Sequence, residues 1–307
     1  AGQRTDARQP PELSTRDNVA RAIYTEVREE RGSAHGGVYL DISYLPAERV
    51  RRKLPSMYDQ FKELADVDIT GGPMEVGPTT HYVMGGVRVD AETAATTLQG
   101  LYAAGEVAGG MHGANRLGGN SLSDLLVFGQ RAGAAAADFA ASQAELPHVN
   151  PIQVQTELRT LVAPLERREG EDPYRLQAEL QATMQQFAGI FRTAADLSQA
   201  IEQLGRLRER LTTAKAIGSA PYNPGWNLIF ELRSLMVIAE AVARSALQRE
   251  ESRGAHARLD FPDADPAWGK VNSVITRRGD EVRVAKSPIP PLPDDLRGLV
   301  IKEQQRA

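Results

Sequence analysis

The stretch GLYAAGEVAGGMHGANRLGGNSLSDLLVFG, residues 100–129, sets glycine at 100, 105, 109, 110, 113, 118, 119 and 129, with one arginine, Arg116, among them. Glycine loses more conformational freedom on ordering than any other residue. A loop this rich in it needs positive φ, or needs bare backbone to lie against something large and flat. The preceding TTLQGLYAAGEV reads as a short buried strand ending in small residues. The following NSLSDLLVFGQRAGAAAADFAASQ reads as a helix capped by Asn120 or Ser121. Strand, glycine loop and helix N-terminus form a ligand-binding arrangement, because a first helical turn presents unpaired N–H donors and partial positive charge. A permanent guanidinium there suits a carboxylate, whose oxygens match its planar fork. The same pattern also serves as a tight packing turn between helix and sheet, so these residues alone leave both roles open.

Outward from this stretch, the chain alternates in character. STRDNVARAIYTEVREERG (14–32) reads as a helix, with Ser14 or Thr15 as N-cap, Asp17 in the first turn, and Val19, Ile23 and Val27 four apart. GGVYLDISYL alternates like a strand, and PAERVRRKLPSMYDQFKEL returns to helix. VGPTTHYVMGGVRVD (76–90) reads as strand, tight turn, strand. From about residue 151, apolar residues recur at helical spacing in four segments, which predicts a bundle of three or four helices. The tail reads as loop plus hairpin, with Gly279-Asp280 near its turn.

Bulk properties narrow the function. The 307 residues are 41% hydrophobic and 25% charged, the balance of an ordinary globular chain with ample core. A net charge of −4 gives no footprint for nucleic acid. The absence of cysteine excludes disulfides, thiolate zinc and iron–sulfur ligation within this chain. No apolar run is long enough to span a bilayer; LIFELRSLMVIAEAVA is broken by Glu231, Arg233 and Glu240 and reads as a buried helix. The N-terminal residues carry no apolar signal core and no initiator Met, which reads as a piece of a longer chain or a processed product.

Three segments in order, PTTHYVMGGVRVD (78–90), the glycine stretch, and ESRGAHARLDFPDAD (251–265), resemble the flavoprotein subunit of succinate dehydrogenase and fumarate reductase. STRDNVARAIYTEVREERG resembles the end of that family's capping domain, and the resemblance runs from about residue 12 to 268. It implies an α/β (mixed α+β) fold. Residues 1–75 would end the capping domain and return to the flavin domain, and 76–145 would be the C-terminal part of an FAD-binding domain. Residues 146–254 would be an α-helical bundle, and 255–307 a tail with a short β-hairpin. L-aspartate oxidase is the nearest alternative. Its turn typically carries Cys where this chain has Met84, and its loop reads HGANRMASNS where this one reads HGANRLGGNS. An alternative of another class is a non-catalytic fragment whose helical domain binds a partner.

The resemblance assigns roles residue by residue. His81 and Arg116 match positions that bind a substrate carboxylate. Arg16 matches the proton-shuttling arginine, an unusual acid/base because its pKa exceeds about 12 in water. Glu106 matches a flavin-binding position, and Ser121 and Leu122 match positions that contact FAD through backbone groups. His112 and Asn115 fall inside the motif with weaker roles. Glu251, Arg253 and His256 read as a buried polar network docking the helical domain, and His35 and His148 as surface residues. The implied substrate is a C4 dicarboxylate. The implied partners are, indirectly, a membrane anchor and, directly, an iron–sulfur subunit. The implied location is the cytoplasmic side of the bacterial inner membrane, peripherally bound. The chain departs from the family in lacking a strand followed by G-x-G-x-x-G for the FAD pyrophosphate. The family's flavin-linking histidine and second carboxylate clamp have no counterpart here.

Overall fold

The computed structural model describes residues 15–294 and 296, apart from 146 and 280. The chain divides into two compact units, 1–144 and 145–307.

In the first unit, α1 (Arg16–Arg28) begins after Thr15, whose side chain makes no capping bond; Ser14 lies outside the described residues. Strand β1 (Val38–Leu40) pairs antiparallel with β2 (Met74–Val76), Tyr39 opposite Glu75. Between them PAERVRRKLPSMYDQFKEL forms two helices, α2 (Ala47–Lys53) and α3 (Pro55–Ala65). The break falls at Leu54-Pro55, because a proline disfavours helical backbone at the residue before it. Val50, Ile69 and Met74 form a small core here, with Ile42, Tyr58 and Phe61 packed against it. Helix α4 (Asn120–Ser142) closes the unit.

Two local expectations fail. Residues 77–90 form no hairpin. Val87 finds its backbone partners in 105–109 instead: its N–H donates to Val107 O at 2.7 Å and Gly109 N–H donates to Val87 O at 3.0 Å, around one parallel bridge. Nor does 101–104 form a strand. Tyr102 makes a single antiparallel bridge to Ala95, and Gly105–Val107 turns as one 3-10 helix. In both places the extended backbone finds a partner for one or two residues only, too few for a ladder.

The second unit is the helical bundle: α5 (Pro151–Glu166), α6 (Pro173–Phe187), α7 (Ala194–Leu211) and α8 (Pro224–Gln248). Each starts at a side-chain cap, Asn150, Asp172, Thr193 and Asn223, that accepts a first-turn N–H. Such caps contribute about 1 kcal/mol each. The core is drawn from α6, α7 and α8, including Leu176, Leu204, Ile229, Leu232 and Met236. Strands β3 (Phe191–Arg192) and β4 (Ala257–Arg258) pair in parallel. Strands β5 (Val271–Arg278) and β6 (Glu281–Pro288) form the expected hairpin, with Gly279 at φ +59°. Its companion Asp280 lies outside the described residues.

The motif after α8 folds as a buried ionic network. Arg258, only 2% exposed, donates to both carboxylate oxygens of Asp260 at 2.7 and 2.8 Å. It also donates to the α8 carbonyls of Ala246 and Leu247, groups that a helix C-terminus otherwise leaves unsatisfied. The fully buried Glu251 accepts from Arg249, Arg253 and the N–H of Asp265, fastening the end of α8 to the segment beyond it.

Candidate active site

The glycines of the loop and of the turn after His81 include two kinds. A Cβ on Gly86 would lie 2.3 Å from Val107 O, and one on Gly109 2.7 Å from Gly86 N. These two are required by turn-on-turn packing. Gly110, Gly113 and Gly119 have φ of +107°, +56° and +86°, and a Cβ on any of them, or on Gly118, would meet nothing within 4 Å. The backbone at these four glycines therefore faces open space.

Helix α4 follows directly. Its N-cap is Gly119 in the left-handed region with no side-chain bond, and Asn120 is already the first helical residue. The expectation that Asn120 or Ser121 caps the helix is wrong, because a glycine occupies the capping position. Half-buried Ser121 and exposed Leu122 stand in the first turn, whose N–H groups no side chain caps. An uncapped, dipole-aligned set of donors beside open glycine backbone can accept an anionic or electron-rich planar group.

Arg116 is half-buried at the centre of the loop. Its Nη2 lies 3.3 Å from Nε2 of His81. Arginine only donates, so that Nε2 accepts and the ring proton sits on Nδ1. One face of the guanidinium rests on the Tyr82 ring, 4.5 Å from its centroid. Among the described residues, the only buried side-chain nitrogen or oxygen without a hydrogen-bond partner is Arg116 Nε. A buried unsatisfied donor costs on the order of 1–3 kcal/mol, so the guanidinium is set for an acceptor.

Beneath this pair lies a polar cluster. Tyr82 Oη is 3.0 Å from His112 Nε2 and donates to Asp124 Oδ2 at 3.3 Å, and His112 Nε2 is itself 3.3 Å from Asp124 Oδ2. The His112 and Asp124 side chains are 7% and 6% exposed. Burial raises the Tyr82 phenol above its ordinary range, and the nearby Asp124 and Glu106 carboxylates add to the shift. It therefore stays a proton donor.

Glu106 accepts the N–H of Val83 at 3.0 Å and so holds the turn that carries His81. Arg16 opens α1 and is exposed, and its side chain makes no hydrogen bond or ion pair to a described residue. Asp17 beside it accepts from Arg21 at 2.6 Å and from Asn115 Nδ2 at 3.3 Å, which links α1 to the glycine loop. Burial pushes the Asp17 carboxyl up, but bonds from Thr15 and Arg21 and the Arg21 charge outweigh it and hold the pKa low. The structure thus brings His81 and Arg116 together, with Glu106 under the same turn. Tyr82 and Asp124 went unassigned in the sequence reading. One signal for Asp124 was available: it is the single acid in the first half of α4, directly before the apolar run Leu125–Phe128, and it is that helix's buried residue.

Two families match the chain: residues 2–122 match the FAD binding domain, and residues 177–293 match the fumarate reductase flavoprotein C-terminal domain. The chain belongs to the succinate dehydrogenase/fumarate reductase flavoprotein family.

It corresponds to the C-terminal portion of that family's chains. It is 45% identical over 279 residues to one of the subunits of the CoM/CoB fumarate reductase of Methanothermobacter marburgensis, covering 90% of this chain and 50% of that one. The fumarate reductase flavoprotein subunit of Mycobacterium tuberculosis is 39% identical over 290 residues, covering 91% and 50%. The solved structure of Mycobacterium smegmatis Sdh1 in complex with UQ1 superposes with a TM-score of 0.86 at 47% identity, covering 99% and 52%. The chain therefore spans about half the length of the flavoproteins it matches, and the mixed α/β fold with a helical middle and C-terminal hairpin is theirs. No helix among the described residues is long and apolar enough to cross a membrane.

Proposed function

We propose that this chain carries the substrate-binding part of a flavoprotein subunit that oxidises succinate to fumarate, or runs the reverse, by hydride transfer to FAD. Electrons would pass to quinone through an iron–sulfur subunit, with the complex anchored at the cytoplasmic side of the bacterial inner membrane. The observation that carries this reading is the buried, unpartnered Nε of Arg116 beside His81. A dicarboxylate needs one such site for each end, and Arg116 with His81 supplies one.

The open backbone at Gly110, Gly113, Gly118 and Gly119 and the uncapped start of α4 fit a planar flavin, with Ser121 and Leu122 donating through their N–H groups. Bound there, FAD supplies the hydride acceptor or donor. Glu106 holds the 81–84 turn in register with the loop. Arg16 is the group we assign to move the proton at the carbon next to the one that exchanges hydride. Its guanidinium gives up a proton only in a site closed from water, with an acceptor at hand.

The test is flavin absorbance of the protein isolated with whatever co-purifies. Succinate should bleach it, L-aspartate should not, and Arg16→Ala should abolish bleaching. Bleaching by L-aspartate would move the reading to L-aspartate oxidase. No bleaching by either in a flavin-loaded preparation would overturn it.

A further inference from the structure

The cluster beneath Arg116 is not consumed by the roles above. Tyr82 lies between two layers. Its ring face carries the Arg116 guanidinium at 4.5 Å, and its hydroxyl is held by His112 and Asp124 at 3.0 and 3.3 Å. The His112 and Tyr82 rings meet edge to face, with centroids 5.4 Å apart and planes at 71°. With the phenol O–H donating to Asp124, His112 Nε2–H donates to the phenol oxygen, so the hydroxyl is held in one orientation. These three residues come from the 81–84 turn, the glycine loop and the first turns of α4, and the first two of these also carry His81 and Arg116.

We propose that Tyr82, His112 and Asp124 are positioning residues that orient Arg116 for the substrate carboxylate through the Tyr82 ring. This rests on the reading of Arg116 as a carboxylate clamp. Two physical effects act in sequence. The bonds from His112 and to Asp124 fix the ring plane, and so fix the plane of the guanidinium stacked on it. A phenol whose proton is held by a carboxylate carries more electron density on its ring, which strengthens its attraction for the cation. An arginine on a glycine loop otherwise samples many rotamers, and binding then has to restrict them.

The experiment measures calorimetric binding of malonate, a dicarboxylate that cannot be dehydrogenated, to the flavin-loaded protein in its native assembly. Tyr82→Phe keeps the stacked ring and removes the hydroxyl; Asp124→Asn keeps the shape and removes the charge. Each should weaken malonate about tenfold while flavin absorbance and melting temperature stay near wild type. The double variant should be no weaker than the worse single one, since both act through one ring. Arg116→Lys separates the two claims. If it leaves malonate affinity unchanged, the clamp reading fails and this proposal with it. If it abolishes binding while Tyr82→Phe and Asp124→Asn stay within twofold of wild type, the clamp stands and the positioning role is overturned. Should one substitution prevent folding, the other decides alone, and additive losses in the double variant also refute transmission through the ring.

Discussion

His256 gives a pH dependence that can be worked in full. Its Nδ1 accepts from Arg192 Nη1 at 3.0 Å and its Nε2–H donates to Arg249 O at 3.1 Å, so both ring nitrogens are committed in the neutral form. Burial, with the charges of Arg192, Arg258 and Arg249 around it, lowers its pKa to about 4 against the bond to Arg249 O, which raises it. An unfolded chain takes up that proton near pH 6.5. Between these values the unfolded state binds more protons than the folded one, so stability rises with pH. The contribution is complete above about pH 6.5 and is lost as pH falls toward 4. At pH 5 the loss is about 2 kcal/mol, out of about 3 kcal/mol in total. The assay is urea unfolding at pH 8 and pH 5, followed by fluorescence. Trp226 and Trp268, the two tryptophans, both lie in the second unit. His256→Gln keeps a donor and an acceptor without titrating, and its pH 8-to-5 loss should be smaller than wild type by about 2 kcal/mol. Equal losses in the two proteins would refute the reasoning, as would an NMR titration of folded His256 near pH 6.5.

The remaining expectations concern packing and charge. Gly86→Ala should destabilise the first unit by about 1–3 kcal/mol, because the new methyl meets Val107 O at 2.3 Å, whereas Gly118→Ala, in open space, should stay within about 0.5 kcal/mol. Hydrogen exchange of amides in 80–110 distinguishes them, and equal protection in both variants would contradict the packing argument. Arg258→Met leaves Asp260 and the last α8 carbonyls without their donor, and should cost about 3–5 kcal/mol in the urea midpoint; a loss under about 1 kcal/mol would show the network to be dispensable.

Helical spacing was enough to locate α1 and the four helices of the second unit, because an amphipathic period is a local property that burial then rewards. The caps at Asn150, Asp172 and Asn223 sit before proline at the first helical turn, a signal equally local. The family could be read from three motifs, and His81 with Arg116 followed from them. Short extended segments were not legible in the same way. Whether 77–90 and 101–104 form strands depends on which backbone lies alongside, and sequence periodicity carries no information about that. Here the partners are the 105–109 turn and the 94–96 segment, each pairing too briefly for a ladder.

What the sequence determined by itself is the residue inventory: a lone guanidinium in a glycine loop, His112 close to it in the chain, His81 in an earlier turn, and an acid in the first half of the following helix. Tertiary structure decided which of these touch. His81 and Arg116 are 35 positions apart and Tyr82 and Asp124 are 42 apart. Such contacts close only when the turn, the loop and the helix start converge on one point. The structure also divided the glycines into those that packing requires and those that face open space. That distinction depends on the distance to atoms far along the chain, and no local pattern records it.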